Sequence, residues 1–409
     1  MSLPSHSQDF LKAATCAPDN GIVPRIPDGS GEHTFTQKFS RQVSIACAPK
    51  STVIIVCTPT LPMACYSAEY IATGGGMPLG AGNLYPLMRT SPTTPTGGGV
   101  YNETKTEFPE WVQTASPFGI NNTSNISAAR LVSLSAELQC TTNAFNQYGT
   151  VQCFKTPLQL VATPNVASGG DLENLTYHIT GASALIPDAV STGAYMSAVK
   201  DGAYVVSMNR NGGAGNFEFS NIIDNSYEST QLYSTISAET LPGSPSTAKI
   251  PWKGTPVLWD NHFDSIVFKI INPSAEVAQT FILKNWVSVE LATTYGSFLH
   301  GIAQPPPPRD PRAFKLYGAI QQNLPEAVPS RDNPDFWKDV LGMAKTVSGV
   351  ASLIPGPIGA IAGGIHSVSE VLSPSSSSKS AKIHIGGHKI KIKKKQPKPP
   401  GHIKKKYRQ

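Results

Sequence analysis

The sequence predicts an all-β protein, an antiparallel sandwich for which a jelly roll is the natural architecture. Three observations carry this. Apolar, β-branched runs of strand length recur between Thr34 and Leu291, separated by turn residues. No strand–helix alternation appears, and no repeat of solenoid period. The composition, with 35 Gly, 35 Pro and only 15% charged residues, suits a turn-rich chain. At 409 residues the chain can bury a large core.

Residues 1–33 contain Pro and Gly breakers and read as an irregular N-terminal arm. The β-domain spans 34–300. Val43–Cys47 and Thr52–Cys57 are strand runs around a turn at Ala48–Ser51. Gly74–Val100 is a long Gly/Pro/Thr stretch, and loops of that length are usually functional surface. Strand runs resume at Ala128–Cys140, Gly149–Ala162, Leu175–Ile186 and Ala203–Met208. Phe263–Ile271 and Gln279–Leu291, joined through Asn272-Pro273-Ser274, read as a hairpin. Residues 301–333 form a Pro-rich connection in which Pro305–Pro308 is stiff and extended.

The strongest helical pattern lies in residues 334–372. Phe336, Trp337, Val340, Leu341, Ala344 and Val347 recur at a spacing that puts them on one helix face. Asn333 suits the N-cap, and Pro334 the first helical position. Ile354–Pro357 stops the helix, and Ile358–Ile365 holds only Gly, Ala and Ile. Two readings stay open: a helix docked under the β-domain, or an amphipathic segment that perturbs a bilayer. Residues 373–409 are a basic tail with 12 Lys and Arg between Lys379 and Arg408, and no acid follows Glu370. Removing those 12 from the 33 basic residues leaves 21 against 27 acidic ones, a net of −6. All the positive excess therefore sits in one tail, the pattern of a disordered arm for a polyanion. Lys389, Lys391, Lys393, Lys394, Lys395, Lys398, Lys404, Lys405, Lys406 and Arg408 are its candidate RNA-binding residues.

Three motifs in order carry a family resemblance. The first is Phe10-Leu11-Lys12, then Cys16-Ala17-Pro18-Asp19, then Ile26-Pro27-Asp28. The second is Asn216-Phe217-Glu218-Phe219, followed by Ile222, Ile223 and Asp224. The third is Leu324-Pro325-Glu326-Ala327-Val328, then Asn333, Trp337 and Ile354–Gly359. The chain resembles alphanodavirus coat proteins over most of residues 10–370.

That resemblance implies an eight-stranded jelly roll with elaborated outward loops, in an icosahedral T=3 shell. It implies as partners copies of the chain, single-stranded viral RNA, a host membrane and a host receptor. The location implied is the virion, assembled in the host cytoplasm. It also implies single-turnover self-cleavage after Asn333, assisted by Asp19, and release of a membrane-active piece carrying Phe336, Trp337, Val340, Leu341 and Val347. In this family the residue after the Asn is usually Ala, whereas here it is Pro334. Proline lacks the amide N–H, which closes the competing attack by the next nitrogen but restrains Asn333 and crowds the leaving nitrogen. Glu218 and Asp224 match the family's calcium-binding acids at subunit contacts, although two carboxylates alone are too few for calcium. The main basic arm of the family is N-terminal; here residues 1–33 hold only Lys12 and Arg25, and the basic block is at the other end.

No nucleophile elbow, Walker loop, dinucleotide fingerprint or H-E-x-x-H motif is present. Gly212-Gly213-Ala214-Gly215 has no following Lys-Ser/Thr and reads as a loop. The six cysteines form no CxxC pair, and the first residues lack the basic start and apolar core of a signal peptide. Free, buried thiols in a reducing compartment are expected, which leaves the Asn-x-Ser/Thr sequons without consequence. Two other function classes fit parts of the pattern. A pore-forming β-sandwich protein leaves the basic tail without a role. A carbohydrate-binding module lacks the secretory signal such a protein needs.

Overall fold

The computed structural model describes residues 3–15, 23–61, 63–72, 99–112, 125–166, 172–180, 193–221, 233–234, 248–249 and 258–330. The chain divides into units Met1–Ser373 and Pro374–Gln409, and every described residue lies in the first. In order, the chain forms helix α1 (Ser5–Thr15), then β1 (Thr34–Cys47), β2 (Ser51–Cys57), β3 (Thr60–Leu61), β4 (Met63–Ala72) and β5 (Gly99–Glu107). A helical turn, α2 (Pro109–Val112), precedes β6 (Ile126–Cys140), β7 (Thr150–Thr156), β8 (Gln159–Val166), β9 (Leu172–Thr180), β10 (Tyr195–Ala198) and β11 (Ala203–Ser207). Short pieces follow: β12 (Ser220–Asn221), β13 (Tyr233–Ser234), β14 (Ala248–Lys249) and β15 (Leu258–Trp259). The chain then runs through β16 (Ser265–Asn272), β17 (Gln279–Thr293) and helix α3 (Pro311–Asn323).

The pairing identifies the architecture. One sheet runs β1-β17-β6-β11, with β12 also on β6, and the other runs β10-β7-β16-β2-β4-β5. Setting aside the β4-β5 extension, eight strands remain: β1, β2, β6, β7, β10, β11, β16 and β17. The first pairs with the eighth, the second with the seventh, the third with the sixth and the fourth with the fifth, all antiparallel. Such nested pairing is what a long hairpin gives when it rolls into two packed sheets, and it defines a jelly roll. The remaining strands lie in the insertions that precede the third, fifth and seventh strands. Phe39, Ile55, Leu134, Leu138, Phe268, Phe281, Leu283 and Val289 are among the side chains of the core between the sheets.

Several local expectations are corrected. Phe263–Ile271 and Gln279–Leu291 are not a hairpin: β16 and β17 lie in different sheets, and residues 273–278 cross between them. Asn272 makes that corner, its side-chain Nδ2 donating to the carbonyls of Ala48 and Val277 and its Oδ1 accepting from Ser274 N. A sheet-crossing corner and a hairpin leave the same mark, two alternating runs around a turn. The run Gly149–Ala162 is two strands, β7 and β8, broken at Pro157-Leu158. β5 begins at Gly99, inside the stretch assigned to a long loop. The N-terminal arm and the 301–333 connection are not irregular, because α1 and α3 form within them. The described cysteines follow expectation: Cys47, Cys57, Cys65 and Cys153 are buried and free, and Cys140 is free and partly covered, while Cys16 lies outside the described residues.

Candidate functional site

β6 is buried on both faces along most of its length. One face belongs to the core between the sheets, and the other lies under the two helices. A bulge makes this arrangement. The register with β17 shifts between Ser288 and Val289, opposite Ser133 and Leu131, so that Val132 is the extra residue. Beyond the bulge the alternation inverts. Leu131 and Ala129 then join Leu134 in the inner core, while Val132 and Arg130 face the helices.

Each helix forms for local reasons. α3 starts at Asp310, whose Oδ1 accepts from Arg312 N, with Pro311 in the first turn where no donor is needed. Ala313, Phe314, Leu316, Tyr317 and Ile320 make its buried face. α1 buries Phe10, Leu11 and Ala14. The helices meet on the outer face of the β1-β17-β6-β11 sheet, in a cluster with Ile26, Val132, Tyr204, Val206 and Phe217. Phe10 is its centre, stacked on Tyr317 at 5.7 Å and edge-on to Phe217 at 5.7 Å and Phe314 at 6.0 Å. Buried Ser7 donates its Oγ proton to Asp310 Oδ2 at 2.7 Å, so the N-cap of α3 also ties down α1. The Tyr317 hydroxyl accepts from Asn209 N at 2.6 Å, and burial pushes its pKa far up, keeping it protonated.

Gly212-Gly213-Ala214-Gly215 has no phosphate-binding geometry. It is a 3-10 turn laid against α3. A Cβ on Gly213 would sit 2.9 Å from Gly318 Cα, and one on Gly212 would sit 2.3 Å from Tyr317 Cε1. Gly213 permits backbone-to-backbone contact with the helix, and Gly212 leaves room for the Tyr317 ring.

Beside the aromatic cluster lies a buried charge network. Arg130 and Glu290 are register partners on β6 and β17, with side chains 2% and 0% exposed. Arg130 donates to Glu290 Oε2 from Nε at 3.1 Å and from Nη2 at 2.9 Å. Its Nη1 donates to the Phe217 carbonyl at 2.8 Å and to Asp28. The guanidinium carbon lies 4.1 Å from the centroid of the Phe219 ring. Glu290 also accepts from Thr34 Oγ1 at 2.6 Å and from Ile26 N at 3.1 Å. Four of the five guanidinium N–H donors and both Glu290 oxygens are engaged, and such pairing is the condition for keeping these charges out of water.

The segment leaving α3 is held just as closely. Lys155 N donates to Glu326 Oε2 at 3.1 Å, and Lys155 Nζ donates to the Pro325 carbonyl at 3.3 Å. Val328 exchanges both backbone bonds with Tyr204, at 2.8 and 3.0 Å. Ser330 Oγ donates to buried Glu137 Oε1 at 2.7 Å. Residues 26–29 are joined to the same connection through Gly29 N to the Pro307 carbonyl and Asp310 N to the Pro27 carbonyl.

The three motifs, hundreds of residues apart, therefore meet on one face. Phe10 and Ile26 come from the first, Phe217 from the second, and Leu324 and Val328 from the third. Of the individual site residues, Glu218 is described and is exposed. Asn333, Asp19 and Asp224 lie outside the described residues, as do Phe336, Trp337, Val340, Leu341, Val347 and all the tail lysines with Arg408. Among the described residues no group of three or more His, Cys, Asp and Glu is arranged for a metal ion. Glu218 alone does not make a calcium site, which needs several oxygens.

The sequence matches the Peptidase A6 family over residues 3–374. The chain belongs to the Peptidase A6 family. It is 28% identical to capsid protein alpha of Pariacoto virus over 369 residues, covering 87% of this chain and 84% of the relative. Capsid protein alpha of Flock house virus is 26% identical, covering 88% and 82%, and that of Boolarra virus 24%, covering 91% and 89%. This member of the Peptidase A6 family is a nodavirus-like capsid protein, a component of a homo-oligomeric virion shell. Among solved structures, a T13 infectious bursal disease virus particle aligns with 84% of this chain and 98% of its own, at 12% identity and a TM-score of 0.42. The jelly roll itself rests on the strand pairing given above.

Proposed function

We propose that the protein is the coat subunit of an icosahedral T=3 virion that packages single-stranded RNA, cuts itself once at Asn333–Pro334 and delivers a membrane-active C-terminal piece. One observation carries this reading. The arm that leads to Asp19 and the connection that leads to Asn333 are anchored on the same face of the same sheet. Asn333 is three residues past Ser330, and Asp19 four past Thr15, each within about 10–14 Å of its anchor at full extension.

The cleavage needs no outside nucleophile. The Asn333 side-chain nitrogen attacks its own backbone carbonyl carbon and loses a proton. The bond from that carbon to Pro334 N breaks, and the proline nitrogen gains a proton to become a free secondary amine. Residue 333 is left as a cyclic imide, which water opens. Asp19, kept protonated by burial, carries the proton between the two nitrogens. Assembly supplies the burial, so free subunits stay intact. The released piece, from Pro334 onward, carries both the amphipathic face with Trp337 and the lysines of the tail. Glu218, beside two pinned phenylalanines, and Asp224 would lend oxygens to calcium at a contact completed by a neighbouring subunit.

The test is electron microscopy and ultraviolet absorbance of the purified full-length protein, with intact mass of the aged particles. Closed shells containing RNA, and a fragment ending at residue 333, are expected. Monomers or rings without nucleic acid would overturn the coat-protein reading, and shells holding only the uncut chain would overturn the cleavage.

A further inference from the structure

We propose that the loop 294–303 is a contact surface for a second copy of this chain in the shell, with Tyr295, Phe298 and Ile302 as its apolar anchors; this rests on the coat-subunit reading above. Among the described residues six large apolar side chains are exposed. Phe145, Tyr148 and Met196 are three of them, divided between the β6–β7 connection and β10. The other three fall within eight residues of one loop: Tyr295 is 90% exposed, Phe298 67% and Ile302 65%. His300 extends the patch. Its ring stacks on that of exposed His33 at 4.9 Å, and the Tyr295 ring stands edge-on to it at 5.4 Å.

The loop is tied down before any partner arrives. At its base Thr293 N donates to the His33 carbonyl at 3.1 Å, and Thr34 and Gln304 exchange both backbone bonds at 3.0 Å, so both ends close on the start of β1. The Asn125 carbonyl, just ahead of β6, accepts from Thr294 N at 3.0 Å and from Ser297 Oγ at 3.3 Å. Leu299, in the 3-10 turn Phe298–Gly301, is buried in the core between the sheets and pins the loop from below. Compact surface loops closed in this way are frequently functional, and anchors fixed before contact lose little entropy on binding. The chemistry of the patch selects its partner. No Asp, Glu, Lys or Arg occurs from residue 293 to 304. Charge stands at the edge instead, on Arg25, which donates to Gln304 Oε1 at 2.9 Å and to the Pro305 carbonyl at 3.3 Å, and on Glu32, next to His33. An aromatic, uncharged centre with a charged edge is the composition of a protein–protein contact, and it is a poor match to RNA, which calls for cations. Left uncovered, such a patch invites aggregation, and a shell of identical subunits supplies the cover at each of them.

Two measurements on the full-length chain test this. In the first, Phe298→p-benzoylphenylalanine places a photo-crosslinking ring at the centre of the patch. Illuminated particles should give a covalent two-chain adduct whose linked peptide belongs to another copy, and dissociated subunits should give none. In the second, the pair Tyr295→Ser with Phe298→Ser is assembled beside wild type at equal subunit concentration. Particle yield should fall at least about 10-fold, as expected when the anchors of a contact are truncated. The thermal midpoint of the free subunit should hold, because both side chains are exposed in it. Wild-type shells that give no adduct, or only links within one chain or to RNA, overturn the proposal while leaving the coat-subunit reading intact. Normal shell yield from the double variant also overturns it, and shells that form normally but no longer attach to cells would make the patch a receptor site instead. If the double variant lowers midpoint and yield together, the crosslink decides alone. Wild-type protein that forms no shell at all overturns the coat-subunit reading and this proposal with it.

Discussion

Truncating Phe10 to alanine tests whether the N-terminal helix is docked on the shell sheet as a separable element. The ring is fully buried and contacts Tyr317, Phe217 and Phe314 at centroid distances of 5.7, 5.7 and 6.0 Å. Losing a buried phenylalanine costs about 3–5 kcal/mol. None of the jelly-roll strand pairs depends on α1, so the loss should fall on docking of the arm rather than on the sandwich. At about 1.4 kcal/mol per decade, opening of α1 becomes about two to three and a half orders of magnitude more frequent, up to the limit of full exposure. Native-state hydrogen exchange reads this directly, by comparing amides of Phe10–Thr15 with those of β2 at Val53–Val56. Protection should collapse in the first set and hold in the second. Equal loss in both would show that arm and sandwich unfold as one unit, and unchanged protection in α1 would show that the aromatic cluster does not hold the helix.

Other outcomes follow from particular contacts. His262 donates a hydrogen bond from Nδ1 to buried Asp260 that raises its pKa above 6.5, so its stabilising effect is full below that value and is lost as pH rises through the folded pKa. The gap in unfolding midpoint between wild type and His262→Gln should therefore be wide at pH 5 and narrow at pH 8, and a gap that widens with pH contradicts it. Gly213→Ala should loosen α3, because the new methyl meets the Gly318 backbone; limited proteolysis near Asn323 reports it, and an unchanged pattern argues against the close contact. Deleting residues 379–409 should give shells poor in RNA with a weaker salt dependence of binding, and normal RNA content would refute the tail's role. A synthetic 334–372 peptide should release dye from liposomes, and the pair Trp337→Ala with Leu341→Ala should release much less; equal release would show that the apolar face is not responsible.

The strands were legible because their side chains report burial, and β2, β6 and β17 fall close to where the runs placed them, whereas β1 begins nine residues before its run. Sheet membership was not legible. Which strand crosses to the opposite sheet depends on corners such as Asn272, and a corner carries the same residues as a hairpin turn. α3 was legible in principle: Asp310-Pro311 is a cap signature, and Phe314, Tyr317 and Ile320 recur at helical spacing. The four prolines just before it drew the whole connection into an extended reading. α1 carries Ser, His and Gln on a short span, so only the partners it docks against make it a helix. The Arg130 network could not be seen at all, since a bulge decides its direction and its partners lie 87 to 160 residues away. The family motifs, by contrast, converge in space, because Phe10, Phe217 and Val328 belong to one packed cluster.

The central claim is that two chain segments anchored on one face bring Asn333 and Asp19 into a single-turnover site. Intact mass of protein from aged, purified particles tests it most directly, with Asn333→Ala and Asp19→Ala particles alongside. The expected result is a fragment ending at residue 333 and a complementary piece beginning at Pro334, both absent from each variant. Aged wild-type particles that contain only the full 409-residue chain would contradict it. Asn333 would then be a helix cap before a proline, and any membrane activity would have to come from an uncut segment.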